Sequence, residues 1–509
     1  MDKIIVLDFG SQYAHLICRR IREGKVYSEL VPYDIPAEEL KSMEPAGLIF
    51  SGGPASVYES GAPKCDSRIF SLGVPILGIC YGHQLVVDSL GGKVKKAGRE
   101  YGSAHLTIDD PTDLLSNLDS EIRCWMSHAD AAEKLPDGFR VLAHTDSSFA
   151  AAIGSREKRV YGIQFHPEVA HTEKGTEILG NFSTKICGAR QEWDMKNFVE
   201  NAVQEIRRRV GNETVLCATS GGIDSTAAAL ILHRAIGERL RCIFVNHGLL
   251  REGEEDEVVK MFKDNFGIKL IYIDAQERFL QRLKGVADPE QKRLIIGEEF
   301  AKVFEDAVKE QGPFQWLAQG TLYPDVIESG VSKGPAARIK AHHNVAGLPE
   351  WLNLKVIEPL RNIYKDEVKQ IARLLGMPEH LVNRHPFPGP GLAVRVIGEV
   401  TAEKAAICKR ASRIVEDELV RAGLYGKVWQ AFAIVGDDKA VGVLGDERVY
   451  GHIVTVRIVE SLDAMTADWA RIPHDLLQAI SNRITNEIEG VTWVTYTISS
   501  KPPATIEPQ

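Results

Sequence analysis

Residues 75–84 read Pro75-Ile76-Leu77-Gly78-Ile79-Cys80-Tyr81-Gly82-His83-Gln84, and this run decides the architecture of the first part of the chain. Pro75–Ile79 is continuously apolar rather than alternating, the pattern of a strand covered on both faces of a parallel sheet. It ends in Gly78-Ile79-Cys80-Tyr81-Gly82, where two glycines flank a cysteine. That spacing is the cysteine form of a nucleophile elbow, a strand-to-helix turn so tight that neighbouring backbone must come close. The turn presents Cys80 at a helix N-terminus, where the dipole and free N–H groups favour an anion. Cys80 is therefore a candidate nucleophile.

Upstream, Ile4–Asp8 and Gly47–Phe50 carry the same buried-strand pattern, and Val160–Phe165 reads as a further strand running into Gln164-Phe165-His166-Pro167-Glu168. On a strand, side chains two apart share a face, so Glu168 is placed to orient His166, and His166 to take the Cys80 proton. Ser51-Gly52-Gly53-Pro54 directly follows one strand. Its backbone, through Gly53, and the N–H of Tyr81 are the expected oxyanion donors. The competing reading is a structural cysteine and a core histidine. Three pieces in chain order, each at a strand end, favour catalysis.

A polar, helix-like stretch around Lys185–Arg209 precedes a second series: strands at 214–219, 241–245 and 269–273, with helices at about 224–235 and 254–266. Such alternation implies a parallel sheet with helical crossovers. Between its first strand and helix lies Ser220-Gly221-Gly222-Ile223-Asp224-Ser225-Thr226. Two glycines there let backbone N–H groups curl around an anion, with hydroxyls of Ser220, Ser225 and Thr226 as further donors. No lysine follows the glycines, so the Walker pattern fails. The competing reading is a glycine-rich turn with Asp224 and Ser225 capping a helix.

Beyond about Arg384 the character changes. Pro386, Pro388 and Pro390 with Gly389 and Gly391 form a rigid segment. A helix near 402–422 and strands near 428–435, 441–444, 451–459 and 491–498 suggest a smaller α+β unit. The expected boundaries are 1–190, 191–385 and 386–509.

The 509 residues are too many for one core. A net charge of −9 argues against bulk nucleic acid as a partner. The opening MDKIIVLDFGSQ is not a secretory signal, and no run of 18 apolar residues suggests a membrane span. Eight cysteines without a C-x-x-C pair favour reduced thiols, hence a cytoplasmic protein.

SGGP, GICYGHQ and QFHPE resemble the class I glutamine amidotransferase family over about residues 1–190. The resemblance implies a γ-glutamyl thioester on Cys80, with His166 and Glu168 as its partners and Gln84 near the glutamine. SGGIDS resembles the loop of the N-type ATP pyrophosphatases, an adenine-nucleotide α-hydrolase-like fold. It implies that residues 220–226 hold the ATP phosphates, with Mg²⁺ beside Asp224 and no organic cofactor.

The runs 319–329, 339–345, 384–391 and 500–507 resemble the GMP synthase family. They imply a lid carrying Arg338, Lys340, His342 and His343. They also imply xanthosine monophosphate (XMP) held by Arg384, Lys501, Thr505, Ile506 and Glu507, and a homodimer. One departure is Asn246-His247, where that family commonly has Asp-Asn. The implied reaction takes glutamine, ATP and XMP through an adenylyl intermediate. The rivals are an NAD or asparagine synthetase with the same loop, and a nucleotide sensor without turnover.

Overall fold

A computed structural model describes residues 1–326, 354–461 and 466–509. Met1–Phe198 and Val199–Gln509 are separate compact units.

The first unit is built on a nine-stranded sheet. Its parallel half comprises β1 (Lys3–Asp8), β2 (Tyr27–Pro32), β3 (Gly47–Phe50), β4 (Ile76–Ile79) and β9 (Val160–Ile163), in the order β2-β1-β3-β4-β9. Ile4, Ile5, Val6 and Leu7 are fully buried, which is why β1 reads as an unbroken apolar run. The sheet continues antiparallel through β8 (Ala152–Ser155), β7 (Arg140–His144), β5 (Lys93–Ile108) and β6 (Glu121–Lys134). This half was not expected. Its signal is alternation: Ile122, Cys124 and Met126 are buried while Glu121 and Arg123 face water.

The second unit holds two sheets. The first is wholly parallel, in the order β12-β11-β10-β13-β14. Its strands are β10 (Val215–Ala218), β11 (Leu240–Asn246), β12 (Leu270–Asp274), β13 (Trp316–Ala318) and β14 (Lys355–Ile357). The second is mixed: β15 (Gln430–Leu444), β16 (Glu447–Glu460), β17 (Asp468–Trp469) and β18 (Val491–Tyr496). The expected strands at 428–435 and 441–444 are one strand, interrupted by a register shift between Val435 and Lys439. Gly436-Asp437-Asp438 is an irregularity in β15, where Asp437 takes the buried Lys404 ammonium at 2.5 Å. One apolar cluster contains Leu216, Ile243 and Phe279 together with Leu392, Ile414, Val456 and Ile480. Among the described residues no helix is long and apolar enough to cross a membrane.

Candidate active site

Cys80 sits between β4 and the helix Tyr81–Ser89 with φ 52° and ψ −106°. An L-residue adopts this left-handed conformation at a cost, and it persists only where the surroundings enforce it. The Cys80 N–H donates to Ile163 O at 2.8 Å and the Gly82 N–H to Ser51 O at 3.1 Å. A Cβ on Gly78 would lie 2.3 Å from Gly82 O, and one on Gly82 would lie 2.3 Å from Phe50 O. Both flanking glycines are thus required by close backbone approach. The thiol itself is nearly buried, 3.6 Å from Ser127 O on β6.

His166 and Glu168 pair at 2.7 Å through Nδ1 and Oε1, and the glutamate is fully buried. Their common direction has a different origin from the expected one. β9 ends at Ile163, and both residues lie on the turn beyond it, where the His166 N–H donates to Trp125 O at 3.0 Å. The imidazole lies close enough to Cys80 for the two groups to influence each other's charge. A Cβ on Gly52 would stand 3.2 Å from His166 Cε1 and 3.7 Å from Cys80 Cβ. The loop after β3, the elbow after β4 and the turn after β9 therefore meet at the carboxyl ends of adjacent parallel strands, where α/β sheets bind ligands.

Burial opposes charge on His166, yet its interactions with Cys80 and Glu168 and their negative charges win, raising its pKa to about 10. A folded pKa above the ordinary histidine value near 6.5 contributes stability fully present below pH 6.5 and lost as pH rises through 10. The melting temperature of the wild type relative to His166→Gln should therefore fall between pH 6.5 and 10. A constant difference across that window would show that the imidazolium is not held as described.

Among the described residues, the N–H groups of Gly53 and Tyr81 find no internal acceptor. They are available to an oxyanion. Gln84 is buried and donates to Asp130 O at 3.0 Å. The Asp130 carboxylate in turn accepts from Ser56 at 2.5 Å and Tyr58 at 2.7 Å, tying the loop after β3 to β6. His83, from the same elbow run, is wholly buried and held neutral, its pKa lowered to about 3 by burial. Ser127 and Asp130, which stand beside Cys80 and Gln84, were not among the expected residues. β6 reaches the elbow only through the tertiary fold, and no local pattern marks it.

In the second unit, Ser220–Gly222 lie between β10 and the helix Ile223–Ile236, which carries Asp224 and Ser225 in its first turn. Gly221 has φ 75°, and a Cβ there would meet Val258 Cγ2 at 2.4 Å. Ser225 Oγ lies 3.2 Å from the hydroxyls of Thr219 and Ser220 and from the Ser220 amide nitrogen. A Cβ on Gly320, after β13, would lie 3.2 Å from the Ser225 nitrogen. The loop thus sits where the sheet order reverses, between β10 and β13. Asp224 Oδ2 meets Lys365 Nζ at 2.5 Å, while Asp224 Oδ1 and the Thr226 hydroxyl are buried with no partner. No group of three metal-ligating side chains is assembled among the described residues. One carboxylate with an open oxygen beside an anion loop fits Mg²⁺ carried on nucleotide phosphates.

The expected lid residues Arg338, Lys340, His342 and His343 lie outside the described residues. Asn246 is committed locally: its amide donates to Tyr272 Oη and its oxygen accepts from the Gly248 N–H, both at 2.9 Å. His247 packs among Phe279 and Phe300, its pKa lowered to about 4 by burial.

The segment 499–507 is a strap rather than a frayed end. Buried Arg457 donates to Ser499 O at 2.6 Å and Thr505 O at 2.9 Å, and weakly to Ile506 O. Lys501 exchanges backbone hydrogen bonds with Ala467. Glu507 takes a fork from Arg395 at 2.9 and 3.0 Å and accepts from Gln430 at 2.7 Å. Arg395 lies over one ring with Arg251, that of Phe387 in the proline-rich segment, at 4.9 and 4.3 Å. Arg251 shares Glu254 with Arg384, which also meets Glu257. Arg384, Phe387 and Glu507 thus belong to one charged network. Arg395, Gln430 and Arg457 were missed, although Arg395 falls four residues beyond the quoted proline-rich run.

A profile of the family described as "Glutamine amidotransferase class-I" matches residues 5–186, and one described as "GMP synthase C terminal domain" matches residues 417–508. The GMP synthase (glutamine-hydrolyzing) of Gloeothece citriformis is 53% identical over 512 residues, covering 99% of this chain and 94% of its own. The proteins of the same name from Thermosynechococcus vestitus and Caldicellulosiruptor saccharolyticus are each 54% identical. Each alignment covers 99% of this chain, and respectively 96% and 99% of theirs.

Proposed function

Because the chain belongs to the glutamine-hydrolysing GMP synthase family, we propose that Cys80, His166 and Glu168 release the ammonia and that residues 220–226 activate its acceptor. The enzyme is a ligase that takes nitrogen from glutamine and aminates XMP to GMP. The residue roles and the division at 1–190, 191–385 and 386–509 are our reading.

The observation that carries the glutaminase half is the contact of Cys80 with an imidazole held by a buried carboxylate. His166 holds its proton as an imidazolium, so Cys80 attacks the glutamine amide carbon as a thiolate. His166 then gives a proton to the departing ammonia and activates the water that releases glutamate. The Gly53 and Tyr81 N–H groups face the oxyanion of each tetrahedral intermediate.

In the second unit the loop amides and hydroxyls hold the ATP phosphates. The C2 oxygen of XMP attacks the α-phosphate, pyrophosphate leaves, and ammonia displaces AMP. Asp224 would hold Mg²⁺ carried on the nucleotide, which would supply neutralisation of the phosphate charge. Lys340 and its neighbours serve as the lid in this reading. Arg384, Lys501, Thr505, Ile506 and Glu507 form the XMP site, supported by the network that ties the strap to the proline-rich segment. Free ammonia is mostly protonated near neutral pH, so its passage must exclude water.

A homodimer is supported by an apolar face on the mixed sheet. Val441, Val443, Tyr450 and Trp493 are exposed, Val441 stands opposite Tyr450, and Trp493 Nε1 donates to Val441 O at 3.0 Å. Contiguous exposed apolar surface of this kind marks association.

The test is pyrophosphate release from MgATP with ammonium salt. Release should require XMP and should not occur with aspartate or nicotinate adenine dinucleotide. XMP-independent release, or release with either alternative acceptor, would sink the assignment of the second unit.

A further inference from the structure

The first helix of the chain, Ala14–Glu23, starts against the usual rule. Its N-cap is Tyr13, whose side chain makes no capping hydrogen bond, and its first turn carries no acidic residue. Serine, threonine, aspartate and asparagine stabilise that position, and tyrosine does not. A local rule broken without local gain points to a role made elsewhere in the fold. The Tyr13 ring lies against the imidazole of His166 in a T-shaped contact, with centroids 5.4 Å apart and planes at 74°.

We propose that Tyr13 is a positioning residue for the glutaminase reaction, its ring fixing the plane of the His166 imidazole and keeping water from it. This rests on the reading that Cys80, His166 and Glu168 release ammonia. Besides the ring contact, two observations carry it. The first is that Tyr13 is held in place from the end of β1. Asp8 Oδ1 accepts from the Gly10 N–H at 2.9 Å and the Ser11 N–H at 3.2 Å, and Ser11 Oγ accepts from the Tyr13 N–H at 3.1 Å. The same loop abuts the one after β3: a Cβ on Gly52 would stand 3.4 Å from Ser11 Oγ and 3.2 Å from His166 Cε1. The second is the gradient of burial. Glu168 is fully buried and His166 is 4% exposed, while Tyr13 is half-buried. The ring that touches the imidazole is thus the one that also meets solvent.

The titratable groups that face the imidazole are Glu168 on its own turn, Cys80 from the elbow and His128 from β6. Arg20, on the helix that Tyr13 begins, donates to the Glu168 carbonyl at 3.1 Å and not to the ring. Tyr13 brings no charge to this group. Its contribution is to exclude water, which leaves the attraction of the imidazolium for its anionic partners less screened. Admitting water would return His166 from about 10 toward the ordinary histidine value. An imidazole free to turn would also present its proton less well to the departing ammonia.

The experiment compares Tyr13→Asn and Tyr13→Phe in the full-length chain. Asparagine caps a helix well, so Tyr13→Asn removes the ring while preserving the helix. It should lower kcat for glutamine-driven GMP formation about tenfold, with KM for glutamine within about twofold and ammonia-driven formation unchanged. NMR titration of histidine-labelled protein, with His166 assigned by its loss in His166→Gln, should place the imidazolium midpoint about one unit lower in Tyr13→Asn. Tyr13→Phe, which keeps the ring, should restore both. Melting curves check folding; a merely structural role would lower the Tm and leave the His166 midpoint unmoved. An unmoved midpoint or a glutamine-driven kcat within about twofold of wild type in Tyr13→Asn overturns the proposal, as does equal impairment in Tyr13→Phe. Failure of the underlying reading looks different: Cys80→Ala would still make GMP from glutamine.

Discussion

Cys80→Ala is expected to abolish GMP formation from glutamine while leaving formation from ammonium salts near the wild-type rate. The sulfur is the only group at the elbow able to form the thioester, and loss of a nucleophile typically costs about 10³-fold or more in turnover. The contrast has a structural basis. Residue 80 holds its left-handed backbone through contacts made by its neighbours, with Gly82 bonded to Ser51 and both glycines abutting backbone. Alanine in that conformation bears about the same strain as cysteine, roughly 1–2 kcal/mol, so the elbow should survive. The measurement is GMP formation with each nitrogen source at saturating XMP and MgATP. Equal loss with ammonium would show that Cys80 serves the synthetase reaction directly and would end the proposed division of labour.

Asp224→Ala should behave in the opposite way, lowering synthesis from both nitrogen sources together by about 10²–10³-fold. Asp224 is the carboxylate at the loop with one oxygen unpartnered and buried. On the reading proposed above, its removal takes the metal-side carboxylate from the site, and it leaves the Lys365 ammonium without its counter-charge. Pyrophosphate release is the direct readout, because it reports adenylation before any amination. A variant that releases pyrophosphate at the wild-type rate would place the metal elsewhere.

Much of this was readable in the sequence, for identifiable reasons. Strands buried on both faces leave unbroken apolar runs, and β1, β3, β4 and β10 all carry them. Turns that need glycine and a strained residue leave fixed spacings, which is how Cys80 and the loop 220–226 were found. The antiparallel strands β5–β8 were not read, although β6 alternates, because β5 and β6 are joined over a long connection and β8 is a buried run of only four residues. His166 and Glu168 were found through a strand argument that does not hold, since β9 stops at Ile163. Their pairing survives because a turn can also direct two nearby side chains to one place. Lys365, Arg395 and Ser127 carry no local mark. Each reaches its partner only after segments tens to more than a hundred residues apart have packed.

The strap has a bearing on how the molecule is made. Arg395 and Arg457 are buried cations whose partners, Glu507 and the carbonyls of Ser499 and Thr505, are synthesised after both of them. Removing the partner of a buried charge costs roughly 3–5 kcal/mol. A nascent chain halted before residue 499 therefore carries two guanidiniums that cannot be sealed into the interior. Sealing Arg395 and Arg457 into the second unit thus requires residues 499–507.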